Sequence, residues 1–357
     1  MKKRLTLLVF GVLLVTVGFQ ERGALAQGVE EAEGEKIAPE RLGPALAAQK
    51  SHEEQLLALP GVIAVGVGAA EPGQGPTLDV FLNVTARGAS RAALPQALDG
   101  VAVRVWDTDE IRAFDAGANH RKNFPAPVPM GVSTGNDNGC FTGTLGFRVR
   151  RTGDVNNVGY LTNNHVAAAG GANLCPNKAP LGEDQFQPGL FDTGCAVSPP
   201  SIGDLNQFIP IVFGGASNQV DAAYVKSTRS KVGKTILDIG NPSPTVLAPS
   251  VGQNVQKSGR TTGYTKGRVT TINATVQVSY SPCGTAKFVG QAFITACCGF
   301  SQFSAAGDSG SPVLSLAKDG ANRFKPVGLL FAGSSSFTVI NPLATVLSRL
   351  GVQIDTQ

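Results

Sequence analysis

Two short segments carry residue types that can act together as a nucleophile and its base. Ser309 lies in GDSGSP, residues 307–312, and His165 lies well upstream in LTNNHV, residues 161–166. A serine hydroxyl is a poor nucleophile until an adjacent imidazole can accept its proton as it attacks a carbonyl carbon. For this chemistry the fold must bring Ser309 and His165 together. A glycine-rich turn with a serine is otherwise an ordinary loop.

His165 is the best candidate for the base because the other two histidines fall outside the C-terminal region. His52 lies in a predicted N-terminal helix, and His120 lies in a stretch that reads as a linker. The alternative for His165 is a histidine that is simply hydrogen-bonded in the core or at the surface.

The order of three segments resembles that of chymotrypsin-like serine peptidases of the bacterial type. Between His165 and Ser309 lies Asp221, in VDAAYV at 220–225. Other folds with the same three residue types place them in a different order. LTNNHV is similar to the histidine motif of the HtrA proteases, and SGRTTGYT, residues 258–265, resembles alpha-lytic protease and the streptogrisins. The resemblance covers about residues 130–357.

The resemblance implies a role for each of these residues. His165 would take the Ser309 proton and later protonate the leaving amine, while Asp221 would orient the imidazole and stabilise the imidazolium. The backbone N–H groups of Gly307 and Ser309 would form the oxyanion hole. Other aspartates lie in the same interval, among them Asp192, Asp204 and Asp238. Only Asp221 leads directly into an apolar strand as the family requires.

The family pattern also implies where a substrate would bind. The strand at 327–333 resembles the one with which a peptide pairs, where Gly333 leaves room for a side chain. Phe303 occupies the position of the acid that binds basic side chains in trypsin, and Phe331 and Ala332 lie near the expected pocket. An apolar or small side chain before the cleaved bond is therefore expected.

Two departures from the family pattern bear on activation. Ser311 replaces a glycine that usually follows the nucleophile turn, a small change that leaves the three catalytic candidates in place. The usual basic cleavage site followed by Ile-Val-Gly-Gly is missing from the sequence. A new N-terminus that pairs with Asp308 is therefore not expected, and Arg260 is a candidate partner instead.

From residue 131 onward the sequence is typical of an all-β region. Short apolar or alternating runs are separated by Gly, Pro, Asn and Asp. The clearest strand covers residues 268–278, where strict alternation predicts one buried face and one wet face. Residues 226–249 are expected to cross between two barrels, and residues 343–350 to form a final helix. The predicted fold is mostly β: a chymotrypsin-like double six-stranded β-barrel preceded by a small α+β domain.

The region before the barrels divides into three predicted parts. Residues 27–39 form a flexible lead-in, residues 40–115 a small α+β domain, and residues 116–130 a proline-rich linker to a peptidase domain at 131–357. Within the small domain we expect a helix at 40–59, strands at 62–69, 78–84 and 101–106, and a short helix near 89–98. This domain is either a pro-region or a permanent accessory domain, and it could dock on the peptidase domain.

Residues 1–26 have the charged start, apolar core and small-residue cleavage site of a secretory signal peptide, although an uncleaved anchor is the alternative. The formal charge of +4 falls to +1 without these residues, which carry four basic side chains and one acidic one. Nothing in this balance indicates a nucleic-acid partner.

Six cysteines in an exported chain suggest up to three disulfides, with Cys175 expected to pair with Cys195. The cysteine spacings match no zinc site, so neither a metal nor a cofactor is expected. We therefore expect a secreted or periplasmic serine endopeptidase that acts on peptides or proteins, without membrane attachment after signal cleavage. The alternatives are a catalytically silent homologue that binds peptides or partners, and an esterase that uses the same three residues.

Overall fold

Short strands dominate the chain from residue 128 onward, as the alternating sequence pattern predicts. The computed structural model describes residues 37–69, 75–111, 119–196 and 199–357. The predicted signal peptide at 1–26, most of the lead-in and part of the predicted linker lie outside these ranges. In the described ranges, none of the helices is long and apolar enough to cross a membrane.

The N-terminal region packs one helix against a small sheet. Helix α1 buries Ala45, Ala48 and Leu56 against the apolar face of the first two strands. Strands β1 and β2 are antiparallel, and β2 and β4 are parallel. The elements are a 3-10 turn at Pro39–Leu42, α1 (Gly43–Leu57), β1 (Val62–Ala69), β2 (Pro76–Asn83), β3 (Ala97–Leu98) and β4 (Val101–Thr108).

The helix predicted near residues 89–98 is wrong. Only a single 3-10 turn forms there, at Arg91–Ala93, and Leu94 after it is extended with ψ 136°. Proline disfavours a helical conformation in the residue before it, and Pro95 has no N–H to donate. The alanine and leucine content of this segment indicated a helix, but the proline ends it after one turn.

Six strands close the first barrel, if the consecutive segments β7 and β8 are counted as one. The ring runs through β6, then β7 and β8, then β9, β13, β11, β10 and back to β6. Segments β7 and β8 act as one strand, because the Leu145 and Gly146 N–H groups between them donate to Val132 and Leu161. The elements are β5 (Val128–Met130), β6 (Ser133–Asn136), β7 (Gly143–Thr144), β8 (Arg148–Arg151), β9 (Val158–Thr162), α2 (Asn164–Ala167), β10 (Asp184–Phe186), β11 (Ser201–Phe208), β12 (Ser217–Asn218) and β13 (Ala223–Lys226), with 3-10 turns at Asn119–Arg121 and Leu190–Thr193.

Six strands also close the second barrel. The ring runs from β15 through β16, β17, β20, β19 and β18 back to β15. The final helix is confirmed at its predicted bounds, and β21 after it returns to pair with β8 of the first barrel. The elements are β14 (Val232–Ile236), β15 (Asn254–Gly259), β16 (Gly263–Ser279), β17 (Thr285–Ala296), β18 (Pro312–Lys318), β19 (Phe324–Gly333), β20 (Thr338–Pro342), α3 (Leu343–Leu350) and β21 (Val352–Ile354). The predicted fold class is therefore confirmed.

The N-terminal region extends the sheet of the second barrel. Strand β1 pairs antiparallel with β16, with Ala64 opposite Val276. Phe81 lies in one apolar cluster with Phe293 and Phe337 of the barrel, and its ring centroid is 4.2 Å from that of Phe293. Whether residues 40–115 form a domain separate from 131–357 stays a prediction.

Strand β16 shows the consequence of this pairing. Its predicted inner face is confirmed at Ala274, Val276 and Val278, which are fully buried, whereas Ile272 is half-buried. The prediction of a wet outer face is wrong at Thr271 and Thr275, which are also buried. These hydroxyls instead donate to carboxylates of the N-terminal region, at 2.7 Å and 3.0 Å, because that region covers the face.

Candidate active site

Two neighbouring strands of the first barrel bring His165 and Asp221 together. His165 lies in the single turn of α2 directly after β9, and Asp221 lies just before β13, which pairs with β9. The distance from His165 Nδ1 to Asp221 Oδ2 is 2.5 Å, and the His165 backbone N–H donates to Oδ1 at 3.3 Å. Because a carboxylate only accepts, Nδ1 carries the proton and Nε2 is left as the basic nitrogen.

Asp221 is fully buried and is held at both its backbone and its carboxylate. Its N–H donates to Asn341 Oδ1 at 3.0 Å, and its carbonyl accepts from Asn163 Nδ2 at 2.7 Å. The Tyr280 hydroxyl donates to Oδ2 at 2.9 Å. A buried charge is costly unless it is hydrogen-bonded, and the Tyr280 hydroxyl and the two His165 N–H groups compensate the carboxylate.

The turn that carries Ser309 depends on two glycines. Gly307 and Gly310 have φ of +93° and +92°, a region that favours glycine. A Cβ on Gly310 would run into the Thr144 carbonyl and the Thr162 hydroxyl. The Ser309 carbonyl accepts from the Thr144 N–H at 2.7 Å, so the turn is fixed against the first barrel.

The loops that carry Ser309 and His165 both lie beside Gly143. A Cβ added to Gly143 would lie 2.5 Å from a methyl of Val166, the neighbour of His165, and 2.9 Å from the Ser309 carbonyl oxygen. The two loops therefore approach each other so closely at Gly143 that a side chain there would clash with both. His165 Nε2 is buried and has no hydrogen-bond partner among the described residues. This nitrogen is the one that would accept the Ser309 proton.

Each of the three histidines contacts an aspartate, so such a contact alone does not identify a catalytic pair. His52 contacts Asp99 at 3.0 Å, with more than half of the aspartate side chain exposed. His120 contacts Asp238 through Nε2 at 2.9 Å, and its Nδ1 lies 2.7 Å from the Gly131 carbonyl. Both ring nitrogens of His120 therefore already have partners, whereas Nε2 of His165 has none among the described residues.

Asp308, beside the candidate nucleophile, forms an ion pair within the barrel. The Lys257 ammonium lies 3.2 Å from its Oδ2, and both side chains are completely buried. Burial lowers the pKa of Lys257, and the Asp308 carboxylate opposes this shift. Asp308 Oδ1 also accepts the N–H groups of Thr261 and Thr262, at 2.7 Å and 3.2 Å. The loop before Ser309 is thus anchored from inside the second barrel.

Arg260 is not the partner of Asp308, contrary to our expectation. Its guanidinium instead pairs with Asp192, with Nε 2.9 Å from Oδ2, and both side chains are buried. Arg260 and Lys257 are three residues apart, so sequence proximity could not decide between them. Asp192 is thereby also accounted for, as a structural partner of an arginine.

The predicted substrate residues lie on β19 and in the loop before the nucleophile, but the two phenylalanines are not brought together. Phe303 is 3% exposed and packs in the core of the second barrel with Val255 and Val313. Phe331 is fully buried in a different cluster, where its ring lies 4.9 Å from that of Phe288. Ala332 and Gly333 pair with β20 through Val339 and Thr338. The substrate pocket and the oxyanion role of Gly307 and Ser309 stay predictions.

The predicted disulfide between Cys175 and Cys195 is wrong. Cys175 pairs with Cys283 at the tip of the β16–β17 hairpin, with their Cα atoms 5.7 Å apart. Cys195 pairs with Cys140, with a Cα separation of 5.3 Å. The third pair joins the adjacent Cys297 and Cys298.

Sequence reasoning missed three residues around the candidate site. Lys257 and Asn341 contact residues that are distant in sequence, and only the assembled strands show which residues these are. Tyr280 had a partial signal, because it continues the alternation of Ala274, Val276 and Val278 and is therefore expected to face inward.

Comparison with known proteins places this geometry in a family. A family model described as Trypsin matches residues 155–336, just over half of the chain. The chain belongs to the trypsin family. This confirms the trypsin-like resemblance of the three segments, and the matched range contains His165, Asp221 and Ser309.

Solved structures of proteases are similar to this trypsin-family chain at low identity. Thermobifida fusca Protease A is 21% identical with a TM-score of 0.42, and the match covers 64% of this chain and 99% of that one. Cellulomonas bogoriensis chymotrypsin is 20% identical with a TM-score of 0.40, over 64% and 99%. Nocardiopsis protease is 17% identical with a TM-score of 0.42, over the same shares. No curated protein matches the chain.

Proposed function

We propose that this trypsin-family chain is a serine endopeptidase that uses Ser309, His165 and Asp221 as its catalytic triad. The observation that carries the proposal is the 2.5 Å contact between His165 Nδ1 and Asp221 Oδ2, next to the loop that holds Ser309. This contact fixes Nε2 as the basic nitrogen. Membership of the trypsin family supports the same assignment.

In the proposed reaction the Ser309 Oγ attacks the carbonyl carbon of the substrate while its proton moves to His165 Nε2. The imidazolium, stabilised by the ionised Asp221, then gives that proton to the leaving amine, and an acyl-enzyme ester remains. Water attacks the ester, again with His165 as base, and the proton returns to Ser309 as the acid is released. The N–H groups of Gly307 and Ser309 would stabilise the oxyanion, and one such donor is worth about 100- to 1000-fold in rate.

A fluorophosphonate probe tests the nucleophile directly, because it reacts with activated serines. We expect purified protein to be labelled, Ser309→Ala to lose all labelling, and Asp221→Asn to lose most of it through the wrong imidazole tautomer. Asp204→Asn is the matched control, since Asp204 is an exposed aspartate of the same barrel. Labelling that persists in Ser309→Ala would contradict the assignment.

A second candidate is a catalytically silent homologue that binds peptides or partners. It is favoured by the burial of the site, because Ser309 has no exposed surface and the His165 side chain is 11% exposed. An enzyme in this state must open before a polypeptide can reach the serine. Limited proteolysis of the full chain followed by labelling separates the two: labelling that rises with cleavage indicates a latent enzyme, and none at any stage indicates a silent one.

An esterase would use the same triad and would react with the same probe. To decide between the two, a peptide library is incubated with protein that the fluorophosphonate labels and is then analysed by mass spectrometry. Only a peptidase would cleave the amide bonds of these peptides. The library also gives the preferred side chain before the cleaved bond, which we propose to be apolar or small.

We further propose that the chain is exported, to the cell surface, periplasm or medium. Three disulfides among the described cysteines support an oxidising compartment. N-terminal sequencing of the exported protein gives the signal cleavage site. It also shows whether residues 40–115 are removed as a pro-region or retained as an accessory domain that docks on the barrels.

A further inference from the structure

Tyr280 lies at the tip of the hairpin formed by β16 and β17, directly behind the candidate triad. Its N–H donates to the Gly284 carbonyl at 2.8 Å, and its carbonyl accepts from the Cys283 N–H at 2.6 Å, which closes the turn. The residue is 6% exposed. A buried tyrosine hydroxyl needs a hydrogen-bond partner, and here that partner is Asp221.

The tyrosine and the histidine share one carboxylate oxygen. Asp221 Oδ2 accepts the Tyr280 hydroxyl at 2.9 Å and the His165 Nδ1–H at 2.5 Å. The rings of His165 and Tyr280 also meet edge to face, with centroids 5.8 Å apart. Two donors on the same oxygen leave the carboxylate little freedom to rotate away from the imidazole.

The hydroxyl stays a donor over the whole range in which a histidine base works. Burial, together with the negative charge of Asp221, raises the pKa of Tyr280 well above its usual value. An ionised phenolate next to the buried carboxylate would be strongly disfavoured. The hydroxyl therefore remains protonated and continues to donate its hydrogen bond to Asp221.

We propose that Tyr280 is a positioning residue, which orients the Asp221 carboxylate and through it the imidazole of His165. The inference rests on the proposed function, because it assigns a role in the same triad. The hydrogen bond acts in two ways. It fixes the direction of the Oδ2 lone pair used by Nδ1–H, and it offsets part of the carboxylate charge that stabilises the imidazolium.

Contacts on both sides of the hairpin tip hold the Tyr280 hydroxyl in position. Cys283 is bonded to Cys175, which lies in the loop that follows the His165 helix. On the other side the Ser279 N–H donates to the Ile111 carbonyl of the N-terminal region at 3.1 Å, and Ile111 is 1% exposed. The hairpin tip is thus tied both to the loop after His165 and to the chain that precedes the barrels.

Tyr280→Phe in the full-length protein tests the role, because it removes one hydroxyl and keeps the ring. We expect kcat on a cleavable substrate, and the rate of fluorophosphonate labelling, to fall about tenfold, with KM unchanged, as loss of a hydrogen bond to a charged group implies. The acid limb of the kcat/KM profile should move to higher pH, because an Asp221 with one donor fewer stabilises the imidazolium more strongly. A purely structural role would not move that limb.

Tyr160→Phe is the matched control. Tyr160 is also fully buried in the first barrel, and its hydroxyl lies 3.1 Å from that of Thr134, away from Asp221. We expect it to lower stability without changing kcat or the acid limb. Wild-type labelling combined with unchanged kcat and pH profile in Tyr280→Phe would overturn the inference and leave the proposed function intact.

A second readout does not depend on turnover. The proton shared by His165 Nδ1 and Asp221 should give a far-downfield NMR resonance, identified by its loss in Asp221→Ala. Tyr280→Phe should shift this resonance, and Tyr160→Phe should not. If the wild type is not labelled at all, the proposed function fails, and the NMR shift still decides the role of Tyr280: an unshifted resonance overturns it and a shifted one supports it.

Discussion

The Lys257 ammonium lies 3.2 Å from the Asp308 carboxylate, and neither side chain has any exposed surface. Asp308 immediately precedes Ser309, so this ion pair connects the β15 strand of the second barrel to the nucleophile turn. The pair lies within the chain itself and needs no new N-terminus. This arrangement agrees with the missing activation sequence.

Replacement of Lys257 by methionine is expected to unfold the nucleophile turn. It leaves the buried Asp308 carboxylate without its counter-charge, and removal of one partner of a buried pair costs about 3–5 kcal/mol. We expect a lower melting temperature and loss of fluorophosphonate labelling. Lys226→Met, at an exposed lysine, is the control and should change neither. Normal labelling of Lys257→Met would show that the pair does not order the turn.

Gly143→Ala tests the contact between the loops that carry Ser309 and His165. The added methyl would lie 2.5 Å from Val166 and 2.9 Å from the Ser309 carbonyl, so the loops must move apart. We expect labelling to slow by about an order of magnitude or more, since a misplacement near 1 Å can cost about 100-fold. Gly320→Ala, where the methyl meets nothing within 4 Å, should behave as the wild type. Equal rates in the two variants would contradict the proposed meeting of Ser309 and His165.

Phe81→Ala tests whether the N-terminal region stabilises the second barrel. Phe81 is fully buried, and its ring packs on Phe293 and Phe337 of the barrel, with centroids 4.2 Å and 5.0 Å away. Loss of such a ring costs about 3–5 kcal/mol. We expect one cooperative thermal transition at a lower temperature. Val84→Ala, at a residue that is 53% exposed, is the control. A separate low-temperature transition for the N-terminal region would instead indicate independent folding.

Glu183 is expected to make the stability of the protein depend on pH. Burial, with Asp137 and Asp184 nearby, raises its pKa to about 7 from a usual value of 4.5. The folded state therefore holds the proton more tightly than the unfolded state, and this stabilisation is complete below about pH 4.5 and is lost as pH rises through 7. Glu183→Gln should melt at a higher temperature than the wild type at pH 8 and at the same temperature near pH 4. A difference that is independent of pH would contradict the shift.

The local patterns around Ser309, His165 and Asp221 were enough to predict the family and the fold class. The secondary structure of alternating and glycine-rich segments depends mainly on interactions within a few residues. The final helix at 343–350 was likewise predicted to the residue. The geometry that joins the three segments, and the contact of His165 with Asp221, could be inferred only through the resemblance. Their catalytic roles stay predictions.

The predictions were wrong where contacts between residues distant in sequence determine the structure. Cys175 pairs with Cys283, 108 residues away, because the β16–β17 hairpin reaches back to the loop after His165. Lys257, and not Arg260, pairs with Asp308. Lys257 lies on β15, whereas Arg260 lies in the turn after it and pairs with Asp192. Thr271 and Thr275 on the outer face of β16 are polar but buried, because the N-terminal region covers that part of the face. Single-sequence patterns carry no information on such partners.

Strand β16 is the longest described strand, and both of its edges are occupied along most of its length. On one side β17 pairs with it, and on the other β15 pairs with its first part and β1 with residues 271–276. An uncovered edge of this length would be a template for aggregation with other chains. Loss of β1 after proteolysis would expose it. We therefore expect the N-terminal region also to limit aggregation, and a mature form that lacks it to need another cover for residues 271–276.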